Sequence, residues 1–251
     1  MDNKDVLKTI QTTSINDDII SVIKEKIKSS LDRIQSSIKH VEQFREHKEE
    51  LKALYEKYGE LGWTIPESID SFWLNDFSNE AEADCYMNKY CDKESMTYIF
   101  NRITNDSRIA SKDVYQAIKC YRKKLYKPSV LTLFSLIDGF AISIQSVKEG
   151  KRRSVKSAKN EIITNKINNE SLITEWFILN NVACCVDSIY KDADDFKIDC
   201  SEFNRNTISH GMLNRPVSKT DCNKAFLLLY NLLLICEDFE IIQYNTETLK
   251  Q

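Results

Sequence analysis

Between Phe203 and Asn214 the chain reads Phe-Asn-Arg-Asn-Thr-Ile-Ser-His-Gly-Met-Leu-Asn, the one stretch where reactive side chains cluster. Arg205, Asn206 and His210 are the residues that could do chemistry there. An imidazole titrates near neutrality and can take or give a proton, and a guanidinium offers a bidentate cation to phosphoryl oxygens. Together they supply what cleavage of RNA by its own 2′-OH needs: a base, an acid, and a positive group for the charge that grows on phosphorus oxygens. Such a reaction requires no metal and no other cofactor. With three histidines in all (His40, His47, His210) and no compact carboxylate cluster, two-metal hydrolysis fits this sequence much less well. A hydrolase built on Ser209 or Thr207 would lack both the oriented carboxylate and the Gly-x-Ser-x-Gly turn.

The spacing constrains how these groups can meet. On a helix Asn206 and His210 are four apart and share a face, so the amide can bond the imidazole and set its tautomer. Arg205 lies about 140° round from His210 at 100° per residue. One ideal helix therefore does not aim both at a single point, unless Arg205 sits in a looser first turn or a second subunit completes the pair.

The elements that must position this stretch are helices. Five Gly and three Pro in 251 residues are too few turn-formers for a sandwich, propeller or barrel, and 42% hydrophobic with 29% charged residues is a globular balance. An all-α protein of two helical domains is expected. In the first, residues 1–110, Ile20, Ile23, Ile27, Leu31, Ile34, Ile38 and Val41 recur at steps of three and four, and Leu51, Leu54 and Tyr58 continue the stripe. This predicts a long amphipathic helix over 17–58, broken near His47, serving as scaffold, dimer arm or sensor. Gly59, Gly62 and Pro66 end it in a corner held by Trp63 and Ile65, and Ile69, Phe72, Trp73 and Phe77 form an aromatic stripe read as core.

A polar break at 105–111 separates the second domain, residues 111–251, with Ser111 as a helix cap. Pro128 divides a first helix of that domain from a second over 129–147, and further helices are expected over 157–167 and 171–190. The last helix opens at Ser218, with Asp221 as the return half of a capping box, and is apolar nearly all round. Such a helix is either the centre of a bundle or buried against a second subunit.

A formal charge of −3 and a pI near 5.8 argue against general coating of a duplex, so any nucleic-acid contact must be local. The connection from 148 to 160 carries Lys148, Lys151, Arg152, Arg153, Lys156 and Lys159 against Glu149 alone. It reads either as a solvated loop or as a patch that steers phosphates, with Lys151, Arg152, Arg153, Lys156 and Lys159 touching RNA. No charged start followed by an apolar run opens the chain, and the apolar stretches 130–147 and 225–236 do not read as membrane spans, so a cytoplasmic protein without a membrane partner is expected. The eight cysteines form no Cys-x-x-Cys pair and read as buried free thiols.

The run Arg205-Asn206-Thr207-Ile208-Ser209-His210-Gly211, in a helical bundle after the hairpin 111–147, resembles the signature of the HEPN superfamily. The resemblance covers roughly residues 111–251 and is most specific at 204–211. It implies a C-terminal HEPN-like bundle and a metal-independent endoribonuclease acting on RNA, tRNA being a common target, in a bacterial toxin, abortive-infection or anti-phage role. It implies further that Arg205 binds the scissile phosphate, that His210 is acid or base, that Asn206 orients one of them, and that Asp138 stands where the family often has an acidic residue. Asp138 interrupts an apolar stripe, where a lone carboxylate would be costly, so a partner such as Arg205 is the physical expectation. The resemblance also implies a homodimer or higher homo-oligomer, with an antitoxin or defence-system protein as a possible partner. Because the superfamily includes inert members, the alternative is a non-catalytic helical module that binds a partner protein or a nucleotide.

Overall fold

The computed structural model describes residues 47–69, 74–145, 154–163, 173–192 and 201–236, together with 22, 27, 28 and 30. Among them are nine α-helices and no strand. They are α1 (Lys48–Glu60), α2 (Glu80–Tyr90), α3 (Lys93–Thr104), α4 (Ser111–Arg122), α5 (Tyr126–Ser143), α6 (Val155–Ala158), α7 (Ile173–Ile189), α8 (Arg205–Ser209) and α9 (Lys219–Ile235). A π-helical turn, Lys159–Ile163, extends α6. Most of the long helix expected over 17–58 lies outside the described residues, as do Phe72 and Trp73; the part within them is α1, which begins where the break near His47 was expected.

The described residues from Leu51 onward form one compact unit, and the polar break at 105–111 lies inside it. The core is organised on α9, whose residues from Asp221 to Leu233 are all buried and which packs on α2, α3, α5 and α7. It is thus the centre of the bundle, covered by helices of its own chain, and offers no apolar face to a second subunit. Phe226 meets the rings of Phe100 and Tyr121 at centroid distances of 4.7 and 5.6 Å. The capping box that opens α9 is complete: Ser218 Oγ accepts from the Asp221 N–H, and the Asp221 carboxylate accepts from the Ser218 N–H at 2.7 Å. Arg215 donates to both oxygens of that carboxylate, at 2.7 and 2.9 Å.

Two local expectations are corrected. Ala110, not Ser111, is the N-cap of α4, without a side-chain bond. Pro128 does not precede α5 but lies in its first turn, where the absent N–H would have had no partner and the fixed φ suits a helix.

The loop after α1 is pinned by one buried amide. Asn181 on α7 accepts from the Ile65 N–H at 2.8 Å and donates to the carbonyls of Tyr55 and Trp63 at 2.7 and 3.0 Å. The helices α1 and α7 can approach this closely because position 59 has no side chain. A β-carbon on Gly59 would stand 2.6 Å from the Asn181 carbonyl oxygen and 2.8 Å from the Cys184 β-carbon. Trp63 is fully buried, and its indole N–H donates to Asp84 at 2.7 Å. Lys224, 1% exposed, holds Glu80 and Asp84, each at 3.1 Å, so its charge is compensated inside the core.

Cys91, Cys185, Cys222 and Cys236 are buried, as expected of thiols that act as small hydrophobes, while Cys85 is exposed. Burial pushes the Cys91 and Cys222 thiols up to about 12. No helix among the described residues is long and apolar enough to cross a membrane.

Candidate active site

The Arg205–His210 stretch begins with a cap. Asn204 has extended backbone, and its side-chain oxygen accepts from the N–H groups of Asn206 and Thr207 at 2.8 and 3.2 Å, which starts α8 at Arg205. The same side chain donates to the Lys191 carbonyl at 2.9 Å, tying the motif to the segment after α7. On one side Phe203 stacks on Phe134 of α5 with centroids 5.7 Å apart, and on the other Thr207 and Ile208 are buried. Packing therefore decides which way the short helix faces.

Its far end is equally defined. His210 is the C-cap and Gly211 has φ of +74°. The Met212 N–H reaches back to the Thr207 carbonyl at 2.8 Å and the Gly211 N–H to that of Ile208 at 3.3 Å, the two bonds of a Schellman turn. The left-handed conformation favours glycine at 211, and it releases the chain immediately after His210. His210 is exposed, with its backbone N–H donating to the Asn206 carbonyl at 3.0 Å.

Arg205 occupies the first helical position and turns toward α5. Its Nη2 donates to Asp138 Oδ2 at 2.8 Å, the partnership that a carboxylate in an apolar stripe demands. The other Asp138 oxygen accepts from the Tyr190 hydroxyl at 2.8 Å. Burial first, then the Asp138 charge and the hydrogen bond to it, push the Tyr190 phenol well above its ordinary value, so it remains a proton donor to Asp138. The side chains of Arg205 and Asp138 are 32% and 24% exposed, half-sheltered rather than sealed. Arg205 Nε is buried without a hydrogen-bond partner.

Asn206 reaches toward the guanidinium end of the motif. Its amide oxygen accepts from Arg205 Nη1 at 3.3 Å and its nitrogen reaches the Lys191 carbonyl at 3.4 Å. The guanidinium of the motif is thus one of the groups that it contacts.

The basic connection is described only in part. Lys151, Arg152 and Arg153 lie outside the described residues. Lys156 pairs with Asp192 at 3.2 Å and Lys159 with both oxygens of Asp187 at 2.6 and 2.8 Å, so both ammonium groups already have carboxylates. Among the described residues no three His, Cys, Asp or Glu side chains converge as they would around a metal ion.

Sequence reasoning missed two residues of this neighbourhood. Tyr190 closes the Asp138 carboxylate, and nothing local marks it, since its role follows from where the end of α7 meets α5. Lys127 brings its ammonium 4.0 Å from the point a β-carbon on Gly211 would occupy; it stands at the start of α5, 83 residues upstream of His210 in a segment read only as a turn.

Comparison of the chain with protein-family models, with curated proteins and with solved structures finds no match in any of the three.

Proposed function

We propose that the protein is a metal-independent endoribonuclease of HEPN type. The observation that carries this reading is the 2.8 Å ion pair between Arg205 and Asp138, which joins the motif to the acidic residue that the resemblance pairs with it. Tyr190 and Asn206 steady the two ends of that pair. In the reaction, His210 or its counterpart in a second copy takes the 2′-OH proton, the 2′-oxygen bonds to phosphorus, and the bond from phosphorus to the 5′-oxygen breaks. The departing oxygen receives a proton, leaving a 2′,3′-cyclic phosphate and a free 5′-hydroxyl. Arg205, already aimed and partly desolvated, neutralises the phosphorane oxygens without reorganising.

The protein acts as a homodimer or higher homo-oligomer. The support is the spacing of the motif: five residues put Arg205 and His210 about 140° apart around a helix, so a second motif would supply the missing member. In a toxin or anti-phage setting, such a protein would be held in check by an antitoxin or another defence protein.

The test is incubation of wild type and His210→Ala with total bacterial RNA in EDTA, with fragment ends mapped for cyclic phosphates. Cyclic ends from the wild type alone are expected; equal cleavage by His210→Ala, or cleavage that only magnesium restores, overturns the reading. Mixing inactive Arg205→Ala with inactive His210→Ala then tests the composite site, because a mixed dimer recovers one intact pair.

A further inference from the structure

The corner between α4 and α5 carries a second concentration of positive charge. Lys119, Arg122, Lys123, Lys124 and Lys127 fall within one short stretch that contains no acidic residue, in a chain whose net charge is −3. All five are exposed. Arg122 lies over the Phe100 ring at 5.9 Å, and none of the four lysines has a carboxylate partner among the described residues. This differs from the 148–160 connection, whose Lys156 and Lys159 are paired.

The backbone of the corner adds a second observation. Lys124 has φ of +60°, a conformation that L side chains rarely adopt, and it stands at the left-handed position of a Schellman turn closed by Leu125 N–H to Cys120 carbonyl at 2.9 Å and Lys124 N–H to Tyr121 carbonyl at 3.0 Å. Glycine would suit that position better. A lysine held there adds a charge at the tip of the corner at the cost of backbone strain, and such strain points toward function. The third observation is direction. Lys127, the last cation of the series, reaches the turn that follows His210.

We infer that the α4–α5 corner is the surface on which the phosphates of a single-stranded RNA lie as it enters the site, with Lys127 the cation beside His210. The inference rests on the proposed ribonuclease reading and names where its substrate binds. Unpaired lysines on an otherwise acidic protein give a local track for a polyanion, and each phosphate they neutralise releases counterions and makes binding salt-dependent.

The experiment uses the full chain carrying His210→Ala, so that RNA is bound and not consumed. Binding of a fluorescent single-stranded RNA of about 20 nucleotides is followed by anisotropy across a salt series. One variant adds Lys119→Gln, Lys123→Gln and Lys127→Gln, sparing the strained position 124; a control adds Lys89→Gln, Lys93→Gln and Lys112→Gln, the same charge change at exposed sites outside the corner. The corner variant is expected to bind at least about ten-fold more weakly at moderate salt, with a log K against log[salt] slope shallower by about 2, while the control stays close to its parent. Equal weakening of both variants, or of neither, overturns the inference. Cleavage separates this from the parent reading. If the parent binds RNA through the corner but His210→Ala still cleaves, the ribonuclease mechanism fails and the binding surface stands. If His210→Ala abolishes cleavage and the corner variant binds like its parent, only the surface fails. No RNA binding by the parent overturns the surface outright.

Discussion

The Arg205 guanidinium and the Asp138 carboxylate sit 2.8 Å apart although 67 residues separate them along the chain, and Tyr190 takes the carboxylate's other oxygen at the same distance. Each member removes a cost the others would incur: the acid is not left alone in an apolar stripe, and the guanidinium is not left without a counterion. Asp138→Ala should lower stability by roughly 1–2 kcal/mol, a figure kept modest because both side chains are partly exposed. It should also reduce cleavage through a misplaced Arg205. In urea titrations, the Asp138→Ala/Arg205→Ala double variant should lose less than the sum of the two single changes; strict additivity would show that the pair is not coupled.

His210 is exposed at the end of α8, and on the proposed reading its role is chemical. His210→Ala should cut the cleavage rate by about 10²–10⁴-fold, the range for a general acid or base. Thermal unfolding should change little, since the side chain is exposed; stability within about 0.5 kcal/mol of wild type is expected. A variant that is inactive and also markedly unstable would assign His210 to the fold.

Gly211 tests whether the release of the chain after His210 matters. Gly211→Ala places a β-carbon at φ of +74°, with open space around it apart from Lys127, so only backbone strain opposes it. The cost should be about 1 kcal/mol. If the cap geometry aims His210, activity should fall further than that loss explains, and Gly211→Asn, which tolerates the left-handed region, should recover much of it.

Asn181 is a stability prediction remote from the motif. Asn181→Ala strands the Ile65 N–H and two carbonyls in the core, and should cost roughly 3 kcal/mol, equivalent to a fall in Tm of about 6–12 °C for a chain this size. Calorimetry checks it, and a fall of only a degree or two would mean that the loop finds other partners.

The Asp221 carboxyl gives a pH signature. Burial alone would raise its pKa, but the Arg215 hydrogen bonds and the Ser218 donors outweigh that and hold it below the ordinary aspartate value. A depressed pKa in the folded state means stability that is fully present above the unfolded value, about 3.9, and is lost as pH falls through the folded value. The stability gap between wild type and Asp221→Asn should therefore be widest near neutrality and shrink once the pH drops below about 4. A gap independent of pH would show that the carboxylate charge does not hold the cap.

Much of the fold was legible because helices announce themselves locally. The stripe in α5, the Ser218–Asp221 box and the scarcity of turn-formers each follow from spacing or composition. The pairing of Asp138 with Arg205 was legible for a different reason, the energetic cost of leaving either alone. What escaped was set by tertiary packing. Tyr190 and Lys127 carry no local mark at all, since each reaches the site only through the way α4, α5 and α7 meet. The α4–α5 corner is a surface only once the end of α4 and the start of α5 are folded against each other, which spacing along the chain does not show.

The place of α9 has a consequence for how the chain is made. Among the described helices this one comes last in the sequence, yet α2, α3, α5 and α7 all pack on it. Synthesis runs from the N-terminus, so the earlier helices emerge with their apolar faces bare and can close only when residues 219–235 arrive to fill the middle. A ribosome-bound or truncated chain that stops short of α9 would thus lack the element on which α2, α3, α5 and α7 pack, and the cell that makes this protein would meet its assembled core only after translation has passed residue 235.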